Sequence, residues 1–226
     1  MNVPVKPAEE LLEDTLVARF REIAHAFEPR PVDPLLKALD RVLATILLIV
    51  TAPLMVGAAI AVRLTGRPVL YRGARVGQGG EIFTMYKFRT LTPDAELRLG
   101  PYIGPELTQL TEGEVTRVGR ALRAYKLDEL PQLINIVRGD MSFVGPRPIR
   151  PVLFAELCQD IPQYWQRLVV PPGLTGFAQL RLTRDMSWAE KLAHDFEYIA
   201  DRSLGLYVRV LARTAWLVVH AHWNSA

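Results

Sequence analysis

The sequence predicts a mostly helical α+β protein attached to a membrane by one N-terminal apolar helix. A block of 21 residues, Val42 to Val62 (VLATILLIVTAPLMVGAAIAV), contains no charged residue. After it, long stretches read as helix, and two short stretches read as strand. The 226 residues, half of them apolar and only one a cysteine (Cys158), suit one domain with an attachment. They exclude a disordered chain, a collagen-like chain and a disulfide scaffold. A lone cysteine fits a reducing compartment, and His25, His194, His220 and His222 show no zinc-ligand spacing.

The elements follow in order. Pro7 to Phe27 reads as an amphipathic helix: Leu11, Leu12, Leu16, Val17, Phe20, Ile23, Ala24 and Phe27 recur at helical spacing. Glu9, Glu10, Glu13 and Asp14 lie early, where a helix N-terminus prefers acids. Pro29, Pro31 and Pro34 form a stiff linker. The apolar block is roughly 31 Å long as a helix, which matches a bilayer core. Pro53 interrupts it midway, and cations flank both ends: Lys37 and Arg41 before, Arg63, Arg67, Arg72 and Arg75 after. A straight span and a helix that bends and returns both fit, because proline also kinks ordinary spans. A cleaved signal peptide fits badly, since the run is long and begins after forty charged and polar residues.

Downstream, Pro68–Tyr71 and Ile82–Phe88 read as strands, joined by a turn at Gly77, Gly79 and Gly80. Thr108–Tyr125, the stretch after Pro131, and Pro151–Leu168 read as helices. A final one runs from Ser187 to Trp223, broken near Arg202–Gly205. Residues 1–41 carry a net charge of −2, and residues 63–226 carry +5. The basic side therefore lies beyond the apolar block. Nucleic acid, phosphorylated small molecules and an anionic membrane face are the partners such a surface suits.

Three motifs carry chemistry. In Lys126-Leu127-Asp128-Glu129-Leu130-Pro131-Gln132-Leu133, Asp128 reads as an N-cap with Pro131 in the first helical turn. A bare helix start explains that spacing. Two adjacent acids at a helix start also stay ionised, hold magnesium and attack phosphorus. In Gly145-Pro146-Arg147-Pro148, the flanking prolines restrict Arg147 and pre-position its guanidinium for a phosphate. In Pro172-Gly173-Leu174-Thr175-Gly176-Phe177-Ala178-Gln179, two glycines permit close backbone approach to a ligand. Lys87 and Arg89 share one face if their segment is a strand, and Arg123 lies five residues before Asp128.

Together, and in this order, these residues resemble the bacterial sugar transferases, the monotopic phosphoglycosyl transferases. The matching residues are Lys37-x-x-Asp40-Arg41, the apolar block with Pro53, Tyr86 to Thr90, Leu122-Arg123, Leu127 to Leu133, Gly139 to Ser142, Gly145 to Pro148 and Pro172 to Gln179. Lys191, Asp195, Tyr198 and Ser203 continue the likeness, which covers about residues 35–210. The multi-span domain that precedes this core in long family members is not expected here.

The resemblance implies a transfer of sugar 1-phosphate from a UDP-sugar to undecaprenyl phosphate, releasing UMP, through a covalent phospho-sugar on Asp128. It would be the first membrane step of a bacterial surface glycan. Glu129 is the implied dyad partner, and both acids are the implied ligands of magnesium. Lys87, Arg89, Arg123, Arg147, Thr175 and Gln179 are the implied phosphate- and substrate-binding residues. The implied fold has a re-entrant helix bent at Ala52-Pro53 and a small catalytic domain on the cytoplasmic face of the inner membrane. The expected division is residues 1–34 as helix and linker, 35–67 as re-entrant helix, and 68–226 as catalytic domain with interfacial helices. Expected partners are the donor, the acceptor and membrane lipids, with a homodimer allowed and no nucleic acid.

Some positions depart from the family pattern. Ala52 precedes the proline where serine is usual, Gly73 replaces glutamine, Pro171 replaces a basic residue, and Tyr207 stands where an acid is common. A non-enzymatic assembly subunit would suit an altered dyad, and the dyad is intact. A membrane-held nucleic-acid binder would suit a recognition motif, and the sequence shows none.

Overall fold

A computed structural model describes residues 30–95, 111–181 and 186–220. The helix expected over Pro7 to Phe27 lies outside them. The described chain is mostly helical with two small two-stranded sheets, the α+β class that the sequence predicts.

Helix α1 runs Asp33–Leu64 and is long and apolar enough to cross a membrane. Pro34 stands in its first turn, where a missing N–H costs nothing, and the Asp33 carboxylate accepts from the Arg30 amide at 2.7 Å. Pro53 lies inside it and leaves the carbonyl one turn back without its amide partner. Thr51 donates its hydroxyl to the Leu47 carbonyl at 2.7 Å, a back-bond that bends helices.

One face of each end of α1 is buried, and most of its middle is exposed. Leu36 and Ala44 join the main core with Leu133, Ile136, Met141, Phe143, Tyr207 and Val210. Ala58 and Val62 pack with Phe88 and Leu122. Between them Ile46, Leu47, Ile49, Val50, Leu54 and Val56 are exposed. Near the first end, buried Asp40 accepts from the Phe143 amide at 2.9 Å and from the Tyr207 hydroxyl at 2.6 Å. The departure at Tyr207 thus supplies a donor to a buried acid, where a second acid would face it.

Strands β1 (Leu70–Val76) and β2 (Ile82–Phe88) pair antiparallel with Tyr71 opposite Lys87. β2 falls where expected, but β1 runs further than Pro68–Tyr71. Pairing along all of β2 overrides Arg72, Gly73 and Arg75, which interrupt the apolar pattern. A Cβ at Gly73 would lie 2.2 Å from the Tyr71 hydroxyl oxygen, so glycine lets the Tyr71 ring and the Arg75 guanidinium lie over the strand where a larger side chain would push them aside.

Helix α2 (Arg117–Ala124) is capped by Thr116, whose hydroxyl accepts from the Gly119 amide. A single 3₁₀ turn, Leu127–Glu129, leads into α3 (Gln132–Arg138), which Gly139 terminates at φ 91°. Strands β3 (Ser142–Val144) and β4 (Gly173–Thr175) form a parallel pair. Neither was expected: β4 lies in the glycine motif read as an approach to a ligand, and β3 lies just before the Gly145–Pro148 motif.

Helix α4 (Pro151–Asp160) stops short of the predicted Leu168, and a 3₁₀ segment, Tyr164–Val169, follows. Ile161 precedes Pro162 and takes extended dihedrals, as a pre-proline residue prefers. α5 (Phe177–Arg181), α6 (Trp188–Asp201) and α7 (Leu204–Val219) complete the chain. The break between α6 and α7 lies where the sequence places it. Arg202 there holds the Asp33 carboxylate at 2.8 and 2.9 Å, tying it to the start of α1.

Candidate active site

The acids Asp128 and Glu129 lie in the 3₁₀ turn before α3, not at a capped helix start. Pro131 is the N-cap residue of α3, and no side chain caps that helix. The expected N-cap role of Asp128 is therefore corrected. Its Oδ1 is buried and has no hydrogen-bond partner among the described residues. A buried acceptor left open is costly, so it persists where something else uses it. Lys126, two residues before Asp128, adopts a left-handed conformation with φ 56°, a strained geometry for a side-chain-bearing residue.

The two acids are pushed in opposite directions. Burial and then the neighbouring Glu129 charge raise the Asp128 carboxyl above its ordinary value. Lys87, Lys126 and Arg123 oppose this without overcoming it. Burial would also raise Glu129, but the fields of Lys87, Arg147 and Lys126 outweigh it and hold Glu129 below its ordinary value. Lys87 Nζ donates to Glu129 Oε1 at 2.9 Å. Lys126, itself pushed below the usual lysine value by burial, feels both acids.

The structure brings Lys87, Arg123 and Arg147 to the dyad. Arg123 Nε donates to Thr90 Oγ1 at 3.0 Å, which orients it beside Asp128. Arg147 is exposed, and its backbone carbonyl accepts from Arg167 Nη2 at 3.0 Å. Arg167 is in turn buried against Asp195 at 2.7 Å.

Arg89 is not among them. Its Nε donates to the Pro68 carbonyl at 2.7 Å, Nη1 to the Leu91 carbonyl, and Nη2 to the Val62 carbonyl and Thr65 Oγ1. It staples the end of α1 to the segment after β2. The expectation that it faces phosphate is corrected: β2 ends at Phe88, so Arg89 leaves the face that carries Lys87. Thr175 is also occupied, sharing a 2.8 Å hydrogen bond with Thr214 on α7. Gln179 lies on α5 with both amide atoms buried and without partners among the described residues. Ala52 and Pro53 are exposed at the middle of α1.

Sequence reasoning left several residues of this surround without a role. Lys126 is inside the motif but was not singled out as a cation. Gln132 is 2% exposed, one turn beyond Asp128, with its Nε2 unpartnered among the described residues. The Arg167–Asp195 pair spans 28 positions, and no local pattern signals it.

A buried carboxylate oxygen left open, an ionised acid beside it and converging cations are the parts of a phosphoryl-transfer centre. The chain belongs to the bacterial sugar transferase family, which it matches over residues 33–221. It is 40% identical to a UDP-glucose:undecaprenyl-phosphate glucose-1-phosphate transferase of Caulobacter vibrioides, over 81% of this chain and 69% of that one. It is 34% identical to a UDP-N-acetylgalactosamine-undecaprenyl-phosphate N-acetylgalactosaminephosphotransferase of Aeromonas hydrophila, over 94% of this chain and 52% of that one. An undecaprenyl-phosphate galactose phosphotransferase of Salmonella typhimurium is 33% identical, with 81% of this chain and 40% of that one covered. The chain thus spans between two fifths and about two thirds of these relatives' lengths.

Proposed function

We propose that this chain is a phosphoglycosyl transferase that moves sugar 1-phosphate from a UDP-sugar to undecaprenyl phosphate through a covalent phospho-sugar on Asp128. The observation that carries this reading is the open, buried Oδ1 of Asp128 beside a Glu129 held ionised by Lys87.

In the first step a carboxylate oxygen of Asp128 attacks the sugar-bearing phosphorus. The bond from that phosphorus to the bridging oxygen breaks, and UMP leaves with the electron pair. In the second step a phosphate oxygen of the lipid attacks the same phosphorus, and the Asp128 carboxylate departs. Lys87, Arg123 and Arg147 hold the negative oxygens, which is most of what phosphoryl transfer asks of a protein. Arg89 and Thr175 serve the fold instead.

The donor set also fits magnesium. Two adjacent carboxylates, one with an unpartnered oxygen, are what that ion takes when substrate phosphates complete its shell. Asp128 and Glu129 would hold it, and when bound it supplies charge neutralisation at the diphosphate.

We also propose that α1 enters the membrane, bends near Pro53 and returns. What supports this is the burial of one face at each of its ends while Ile46, Leu47, Ile49, Val50, Leu54 and Val56 stay exposed. Its 32 residues would span about 48 Å if straight. The catalytic domain then lies on the cytoplasmic face, where the product is the first membrane-bound intermediate of a surface glycan. The relatives' names carry glucose, galactose and N-acetylgalactosamine, so membership of the family leaves the choice of sugar open.

The decisive experiment incubates enzyme, magnesium and UDP-sugar without lipid. The expected result is about one UMP per active site, then a stop, with the protein gaining one phospho-sugar that undecaprenyl phosphate discharges. UMP release that strictly needs lipid, with no adduct, would show direct transfer and overturn the covalent route.

A further inference from the structure

Among the described residues, strand β2 has one strand neighbour, β1. Its other edge would present unpaired backbone groups. Asn135, on α3, closes that edge with its side chain. Its Oδ1 accepts from the Tyr86 amide at 3.1 Å, and its Nδ2 donates to the Thr84 carbonyl at 2.7 Å. Residues 84 and 86 point their backbone groups to the same side, so one amide group substitutes for a third strand. Asn135 is fully buried. Its orientation is fixed by a second acceptor, Asp140 Oδ2, at 3.0 Å from Nδ2.

Asp140 is held in turn by the end of α3. The amides of Gly139 and Asp140 both donate to the Asn135 carbonyl at 3.0 Å, and Gly139 makes the turn at φ 91°. Gly139 and Asp140 belong to a motif that the transfer chemistry does not otherwise use.

The next residue along β2 after Tyr86 is Lys87, whose ammonium meets Glu129. Glu129 lies six residues before Asn135, at the entrance to the same helix. The turn that leads into α3 therefore carries one member of the ion pair, and α3 itself grips the strand that carries the other.

We infer that Asn135, oriented by Asp140, is a positioning residue that sets Lys87 against Glu129 by acting as a side-chain strand on β2. Its activity readout rests on the transferase reading above, and its titration readout does not. Loosening this grip should weaken the Lys87–Glu129 pair without touching either residue. Glu129 is surrounded by Asp128, Lys87, Lys126 and Arg147, and only Lys87 is held through β2.

The test is a double-mutant cycle of Asn135→Ala and Lys87→Met, with Asp140→Ala as a milder third variant that removes the orienting carboxylate and leaves the Asn135 amide in place. Two quantities are measured: kcat/KM for UMP release, and the titration of Glu129 followed by carbon-13 NMR of labelled glutamate. Asn135→Ala should lower kcat/KM at least tenfold and move the Glu129 titration upward, toward that of Lys87→Met. Asp140→Ala should move both the same way by less. In the Lys87→Met background, Asn135→Ala should cost less than threefold more, because the pair it positions is already gone. Full additivity, or an unmoved Glu129 titration in a folded Asn135→Ala chain, overturns the inference. If Asn135→Ala does not fold, Asp140→Ala decides alone: an unmoved titration there overturns it too. Wild type that releases no UMP, while the titrations shift as expected, would remove the transferase reading and leave the positioning role standing.

Discussion

Asp128 is kept in a place that its charge does not favour. Its carboxyl is raised by burial first and by Glu129 second, so the folded state binds a proton more tightly than the unfolded chain does. Stability from that proton is fully present at acid pH and is lost as pH rises through the folded value. At neutral pH the ionised acid is a net cost, roughly 1.4 kcal/mol for each pH unit of displacement. Asp128→Asn should therefore abolish UMP release yet melt at the same temperature or a few degrees higher at pH 7, as scanning calorimetry would show. The acid limb of kcat/KM in the wild type should lie above the ordinary aspartate value. The cations divide in the same way. Lys87→Ala, Arg123→Ala and Arg147→Ala should each lower kcat/KM tenfold or more with little change in melting temperature. Arg89→Ala should instead lose stability, because four acceptors around it lose their donor. A calorimetric scan beside a UMP assay separates the two classes. The dyad and these three cations were grouped in the sequence by the family resemblance, since no local spacing links positions as far apart as Lys87 and Arg147. The resemblance grouped Arg89 with them, but its use depends on where β2 stops.

At the scale of elements, the β3–β4 pair shows what local reading misses. The sequence assigned the two glycines of the Pro172–Gln179 motif to close approach of a ligand. They serve close approach of backbone to backbone instead. A Cβ on Gly173 would lie 2.1 Å from the Gly145 nitrogen, and one on Gly176 would lie 2.2 Å from the Gly145 carbonyl oxygen. These contacts hold the Pro146–Arg147 segment, since Gly173 donates its amide to the Pro146 carbonyl at 2.8 Å. Gly173→Ala should force the strands apart at a cost of about 1–3 kcal/mol or more. Thermal melts should show that loss together with a drop in kcat/KM of tenfold or more, as Arg147 shifts. Three-residue strands thirty positions apart leave no periodicity to read. By contrast β2, the α6–α7 break and the start of α4 carried their own signals in alternation, capping residues and proline.

For the whole molecule, the question is where α1 leaves its two ends. Pro34→Cys and Arg67→Cys, each in a chain whose buried Cys158 has been replaced, should both resist a membrane-impermeant thiol reagent in intact cells. Both should label once the membrane is permeabilised. Labelling of the Pro34 site alone in intact cells would establish a straight span. The apolar block, its proline and its flanking cations were visible in the sequence and fitted a straight span and a return equally; what supports the return is tertiary, because Leu36 and Ala44 at one end pack into the main core while Val62 at the other packs with Phe88 and Leu122. That attachment has a mechanical consequence. A spanning helix must match its length to the hydrocarbon slab and tilts or thins the bilayer when it does not. A helix pinned at both ends to one rigid body takes its immersion depth from that body. With the return proposed above, bilayer thickness would have little hold on it, and the protein would displace lipid in one leaflet only. Its activity would answer to the lateral pressure of that leaflet while remaining indifferent to acyl-chain length.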